Sequence, residues 1–78
     1  MRRYSKEVYK MAGVVGGLPF DDDTVIETWR EGNHSSVYID GFPFCDTDAP
    51  AAAHLVKEEL KRREDVAKNY GCTFAKVN

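Results

Sequence analysis

Hydrophobic positions along this chain follow two different periods. From Thr24 to Cys45 they recur at every second residue, in short runs rich in β-branched and aromatic side chains. Thr24 to Trp29, Ser36 to Ile39 and Phe42 to Cys45 are the runs, and Glu31-Gly32-Asn33-His34 and Asp40-Gly41 are the turns between them. This predicts a three-stranded antiparallel meander, with Pro43 marking an edge strand. With Asp40 and Gly41 as the loop, Ile39 stands opposite Phe42, and Val37 opposite Phe44. Opposed residues share a face, so Val37, Ile39, Phe42 and Phe44 form the predicted core face. A two-residue turn at Gly32-Asn33 adds Ile26 and Thr28 to that face and turns Val25, Glu27, Trp29 and Tyr38 outward. A three-residue turn would reverse the first strand.

Either side of the meander the period is helical. Tyr4, Val8, Met11, Ala12 and Val15 recur at helical spacing with Ser5 as cap, predicting a helix over Ser5–Ala12. Gly13, Gly16 and Gly17 end it, and Leu18-Pro19-Phe20 reads as a loop. Asp46, Thr47 and Asp48 are cap candidates and Pro50 suits a first turn, which predicts a second helix over Ala49–Tyr70 stopped by Gly71. Its apolar stripe is Ala52, Ala53, Val56, Leu60, Ala67 and Tyr70, with Leu55 and Val66 beside it. Glu58–Arg62, Glu59–Arg63 and Glu64–Lys68 are its expected ion pairs. The tail from Cys72 to Val77 alternates and is a candidate fourth strand. The predicted fold is therefore α+β: an N-terminal helix, a three-stranded antiparallel meander, and a long C-terminal helix packed on one sheet face.

With 78 residues, the chain is expected to form one small globular domain, residues 1–78, with little room to enclose a substrate. Its 42% hydrophobic and 31% charged residues are globular rather than disordered composition. No apolar run reaches the roughly 18–20 residues needed to span a bilayer, and the residues after Arg2 and Arg3 are too polar for a signal-peptide core. A soluble protein of the cytoplasm, or of a host's cytoplasm if virus-encoded, is the expectation. A helix of about 33 Å between Cys45 and Cys72 holds them beyond disulfide reach, so free thiols are expected.

The search for chemistry yields few signatures. The glycines do not form a phosphate loop, and no paired-cysteine zinc spacing occurs. Cys45, Asp46, Asp48 and His54 are near in sequence, but the aspartates read first as helix caps. His34, Ser35 and Ser36 are adjacent in a turn, which is not the arrangement of a catalytic triad. No enzyme activity, cofactor or metal is expected.

Charge distribution is the most informative feature. Residues 1–19 carry four bases against Glu7, a net +3. Residues 20–48 carry eight acids against Arg30, a net −7, and residues 49–78 carry six bases against four acids, a net +2. An acidic sheet repels phosphate, so no direct contact with nucleic acid is expected. It would instead steer a basic protein surface, such as that of a nucleic-acid-binding complex. The expected partner-binding residues are Asp21, Asp22, Asp23, Glu27, Trp29, Glu31, Tyr38 and Asp40. A face covered by the N-terminal helix would make Trp29 and Tyr38 core instead. The expected function is a protein-binding module, an acidic inhibitor or regulator of the phage and mobile-element accessory type, anti-CRISPR proteins included, acting as a monomer or weak homodimer without a membrane.

Ser5 to Gly13, followed by Thr24-Val25 and Trp29-Arg30-Glu31-Gly32, also resembles small winged-helix excisionases. That resemblance implies a DNA-binding regulator with Asp23 to Glu31 as recognition helix and Ser35 to Phe44 as wing. It covers about a third of the chain, its Trp is displaced by one position from the usual spacing, and the hairpin has no Arg or Lys.

Overall fold

The computed structural model describes residues 1–77 and contains a single five-stranded antiparallel sheet with one helix on it. In chain order the elements are β1 (Arg2–Val15), β2 (Leu18–Glu31), β3 (His34–Ile39), β4 (Phe42–Asp48), α1 (Ala49–Asn69) and β5 (Thr73–Lys76). The strand order is β4-β3-β2-β1-β5.

The predicted N-terminal helix does not exist, and the sheet has five strands rather than three. Residues 2–15 form β1, paired with β2 along its whole length from Arg2↔Glu31 to Val15↔Leu18. The reason is arithmetic. Tyr4, Val8 and Ala12 are four apart, a spacing that lies on one face of a helix and equally on one face of a strand. The glycines expected as helix stops are a two-residue hairpin turn: Gly16 and Gly17 have φ of 60° and 79°, the left-handed pair such a turn requires. Leu18-Pro19-Phe20, expected as loop, is the start of β2.

The meander registers follow turn chemistry. Glu31↔His34 closes a two-residue turn, so Ile26 pairs with Ile39 and Thr28 with Val37. Asp40 (φ 52°) and Gly41 (φ 83°) close the next, with Ile39 opposite Phe42. A bulge at Val37/Tyr38 then shifts the register, so Val37 faces Cys45 rather than Phe44. Phe42 remains largely exposed, while Phe44 packs at the core's margin.

Helix α1 starts where Asp48 Oδ2 accepts the Ala51 N–H at 3.1 Å, with Pro50 in the first turn. Tyr70 caps its end and Gly71 (φ 72°) turns the chain into β5. Ala52 is buried with Ile26, Val37 and Ile39, and Val56 and Leu60 pack against them. Ala67 is fully buried, whereas Ala53 and Tyr70, expected on the buried stripe, are exposed. Arg63 pairs with Glu59 at 2.8 Å as expected and also donates to Thr24 Oγ1 at 3.0 Å. Arg62 pairs with Glu59 rather than Glu58, and Glu58 faces His54 instead. The tail forms β5 along Tyr9 to Ala12 of β1, with Tyr9 and Phe74 rings stacked at 5.5 Å. Cys45 and Cys72 are free thiols. Among the described residues no helix is long and apolar enough to cross a membrane.

One helix covers one face of the sheet. Among the described residues there is no second helix, and no element packs on the other face.

Candidate functional site: the uncovered sheet face

Strand alternation decides which side chains reach the uncovered face. Ile26, Val37 and Ile39 point toward α1, so the odd-numbered positions of β2 point away from it, together with the even positions of β1 that pair with them. Arg2, Tyr4, Lys6 and Lys10 therefore share this face with Glu31, Trp29, Glu27, Asp23 and Asp21. Tyr38, opposite Glu27, and Ser36, opposite Trp29, extend it across β3, and Asp46 extends it onto β4.

Its centre is aromatic. Trp29 and Tyr4 are directly opposed, with ring centroids 4.6 Å apart and planes tilted by 43°. The Arg2 guanidinium lies 4.6 Å from the Trp29 ring centroid, a cation–π contact. Trp29 is 37% exposed and Tyr4 45%, so both keep free surface after packing on each other. The Tyr4 hydroxyl donates to Glu27 at 2.7 Å; this bond, together with the nearby negative charge, raises the phenol pKa.

Around the aromatics runs a ladder of charge. Lys10 pairs with Asp21 at 3.0 Å, and that partner raises the ammonium pKa. Lys6 stands opposite Glu27 and Arg2 opposite Glu31. The β1 bases thus offset much of the β2 acidity, and the face is mixed with an acidic surplus: Asp21, Asp23, Glu27, Glu31 and Asp46 against Arg2, Lys6 and Lys10.

Of the eight expected partner-binding residues, Asp21, Asp23, Glu27, Trp29, Glu31 and Tyr38 come together here. Asp22 points to the opposite face, toward the side occupied by α1. Asp40 sits in a turn, where its Oδ1 accepts the Val25 N–H at 2.9 Å, so its carboxylate completes the sheet. Arg2, Tyr4, Lys6 and Lys10 are not among the expected residues, because a helix over Ser5–Ala12 takes that segment out of the sheet; their alternation from Arg2 to Lys10 is the signal that places them on one strand face. The recognition helix implied by the winged-helix resemblance is absent, since Asp23 to Glu31 is strand.

At one margin Asp46 contacts the His34 ring and accepts the Ser36 hydroxyl at 3.0 Å. The imidazole hydrogen bond comes first, then that of the serine, in holding the Asp46 carboxyl below the usual range. Serine activation needs the imidazole between hydroxyl and carboxylate. Here the carboxylate lies between the other two, so the trio anchors Asp46 and leaves Ser36 unactivated. Asp48 is spent on the helix cap and His54 on Glu58, so the residues near Cys45 do not converge. Among the described residues no group of three His, Cys, Asp or Glu side chains is placed to hold a metal. Comparison of the chain with protein-family models, with characterised proteins and with solved structures finds no match.

Proposed function

We propose that this chain is a protein-binding module that docks a basic partner surface on the uncovered face of its sheet. The observation that carries this reading is the Arg2–Trp29–Tyr4 stack lying open to solvent on a face that no element covers among the described residues. Tryptophan, tyrosine and arginine are the side chains that dominate binding energy where partners meet. The surrounding carboxylate surplus favours a basic counterpart and disfavours a phosphate backbone. A cytoplasmic, non-enzymatic inhibitor or regulator of a nucleic-acid-handling protein fits this chemistry, as phage accessory proteins of the anti-CRISPR type do.

The test is a pull-down from bacterial lysate at low salt with wild-type and Trp29→Ser baits, each with and without nuclease. A partner retained after nuclease, released by salt and absent from the folded Trp29→Ser bait supports the proposal. Loss of the partner with nuclease, or equal retention by both baits, overturns it.

A further inference from the structure

Two features of the helix side are left without partners inside the chain. The first is a groove of 610 Å³ beside α1, floored by Val37, Val56 and Leu60 and rimmed by Arg3, Arg30 and Lys57. Arg3 and Arg30 are directly opposed across β1 and β2, an arrangement of like charges that destabilises a sheet by itself. Among the described residues neither arginine nor Lys57 has an ion pair, Arg30 donating only to the Gly32 carbonyl at 3.0 Å, and the one acid in the groove, Glu7, is held by Lys76 at 2.9 Å. Three cations therefore meet at an apolar floor with no free anion.

The second feature is the β1–β2 hairpin tip, at the other end of these two long strands. On its helix-facing side Val15, Leu18 and Phe20 are 37%, 70% and 40% exposed. Asp22 follows on the same side and has no ion pair among the described residues. The tip is thus an apolar wedge with an acidic base, and the groove is an apolar slot with a basic rim.

We infer that the occupant of the groove is the hairpin tip of a second copy of this chain. The same sequence carries both halves of a contact matched in apolar and in charged character. Because tip and groove lie at opposite ends of the β1–β2 hairpin and on one side of the sheet, two antiparallel copies exchange both contacts and close a two-fold dimer. The helix sides face each other, and the two aromatic faces point outward, each free for a partner.

Sedimentation equilibrium of the full chain at low salt and about 100 μM, where a micromolar contact is saturated, tests this. Wild type is expected to be a dimer that dissociates as salt rises. A tip variant (Leu18→Ser with Phe20→Ser) and a groove variant (Arg3→Glu with Arg30→Glu) are each expected to be folded monomers by circular dichroism. Mixing the groove variant with a charge-reversed tip variant (Asp22→Lys) restores both contacts with reversed charge in one of them. One-to-one dimers should then reappear. A monomeric wild type, a groove variant that stays dimeric, or a mixture that stays monomeric overturns the inference.

Discussion

Gly13 gives the sharpest test of how β1, β5 and the helix end fit together. A methyl added there would lie 2.8 Å from Cys72 Sγ and 3.0 Å from Cys72 Cα. The sulfur is buried and the Cα is backbone, so neither yields as a flexible side chain would. Overpacking of this kind costs about 1–3 kcal/mol, while Gly→Ala in an unstrained backbone returns about 0.4–1 kcal/mol by restricting the unfolded chain. Gly13→Ala should therefore lose about 1–2 kcal/mol, which for a domain of this size lowers Tm by about 5–15 °C. Adding Cys72→Ala removes the sulfur but leaves the close approach to the residue 72 backbone. The double variant should recover part of the loss relative to additivity, a coupling on the order of 1 kcal/mol. Urea unfolding followed by circular dichroism measures the cycle. Hydrogen exchange locates the damage: the Val77 N–H, bonded to Val8 O at 2.8 Å, should exchange faster as β5 lifts. A Gly13→Ala protein as stable as wild type, or more so, would refute the packing of Cys72 on β1.

Further outcomes rest on the same geometry. Ile26, 2% exposed on a central strand, should cost about 2–5 kcal/mol as Ile26→Ala, a large fraction of the total for 78 residues, read from the urea midpoint. Asp48→Ala removes the cap on Ala51 and should cost about 1 kcal/mol, whereas Asp48→Ser should cost little, both by thermal melts. The hydrogen bond from Arg62, joined by that from Arg63, lowers the Glu59 carboxyl from 4.5 to about 2 against the opposing effect of burial. Because its folded pKa is depressed, this contribution is full above pH 4.5 and is lost as pH falls toward 2; screening by solvent reduces it to about 1 kcal/mol. Glu59→Gln should be less stable than wild type at pH 7 and converge with it near pH 2 in urea titrations. Trp29→Ser forfeits the Tyr4 and Arg2 contacts, together about 1–2 kcal/mol, and should stay folded.

Much of the fold from Glu31 to Asn69 is legible in the sequence because its determinants are local. Asp40, Gly41 and Gly32 take left-handed turn positions; Asp40-Gly41 sets the pairing of Ile39 with Phe42 locally, and a two-residue turn at Gly32-Asn33, one of the two turn lengths the sequence allows, sets that of Ile26 with Ile39. Asp48, Pro50 and Gly71 bound the helix for the same reason. The outward alternation of Glu27, Trp29 and Tyr38 follows from those turns, which is why most of the candidate face could be named residue by residue. What the tertiary structure decided is the state of residues 2–15. Tyr4, Val8 and Ala12 satisfy helix and strand alike, and the choice between them rests on β2 and β5, whose hydrogen bonds come from residues up to 67 positions away, as in Tyr9↔Lys76. The bulge at Val37/Tyr38 is likewise not dictated by the Asp40-Gly41 turn, and beyond it Val37 stands opposite Cys45. The uncovered face is the consequence: once the N-terminal segment joins the sheet as a strand, one helix remains, and it can cover only one side.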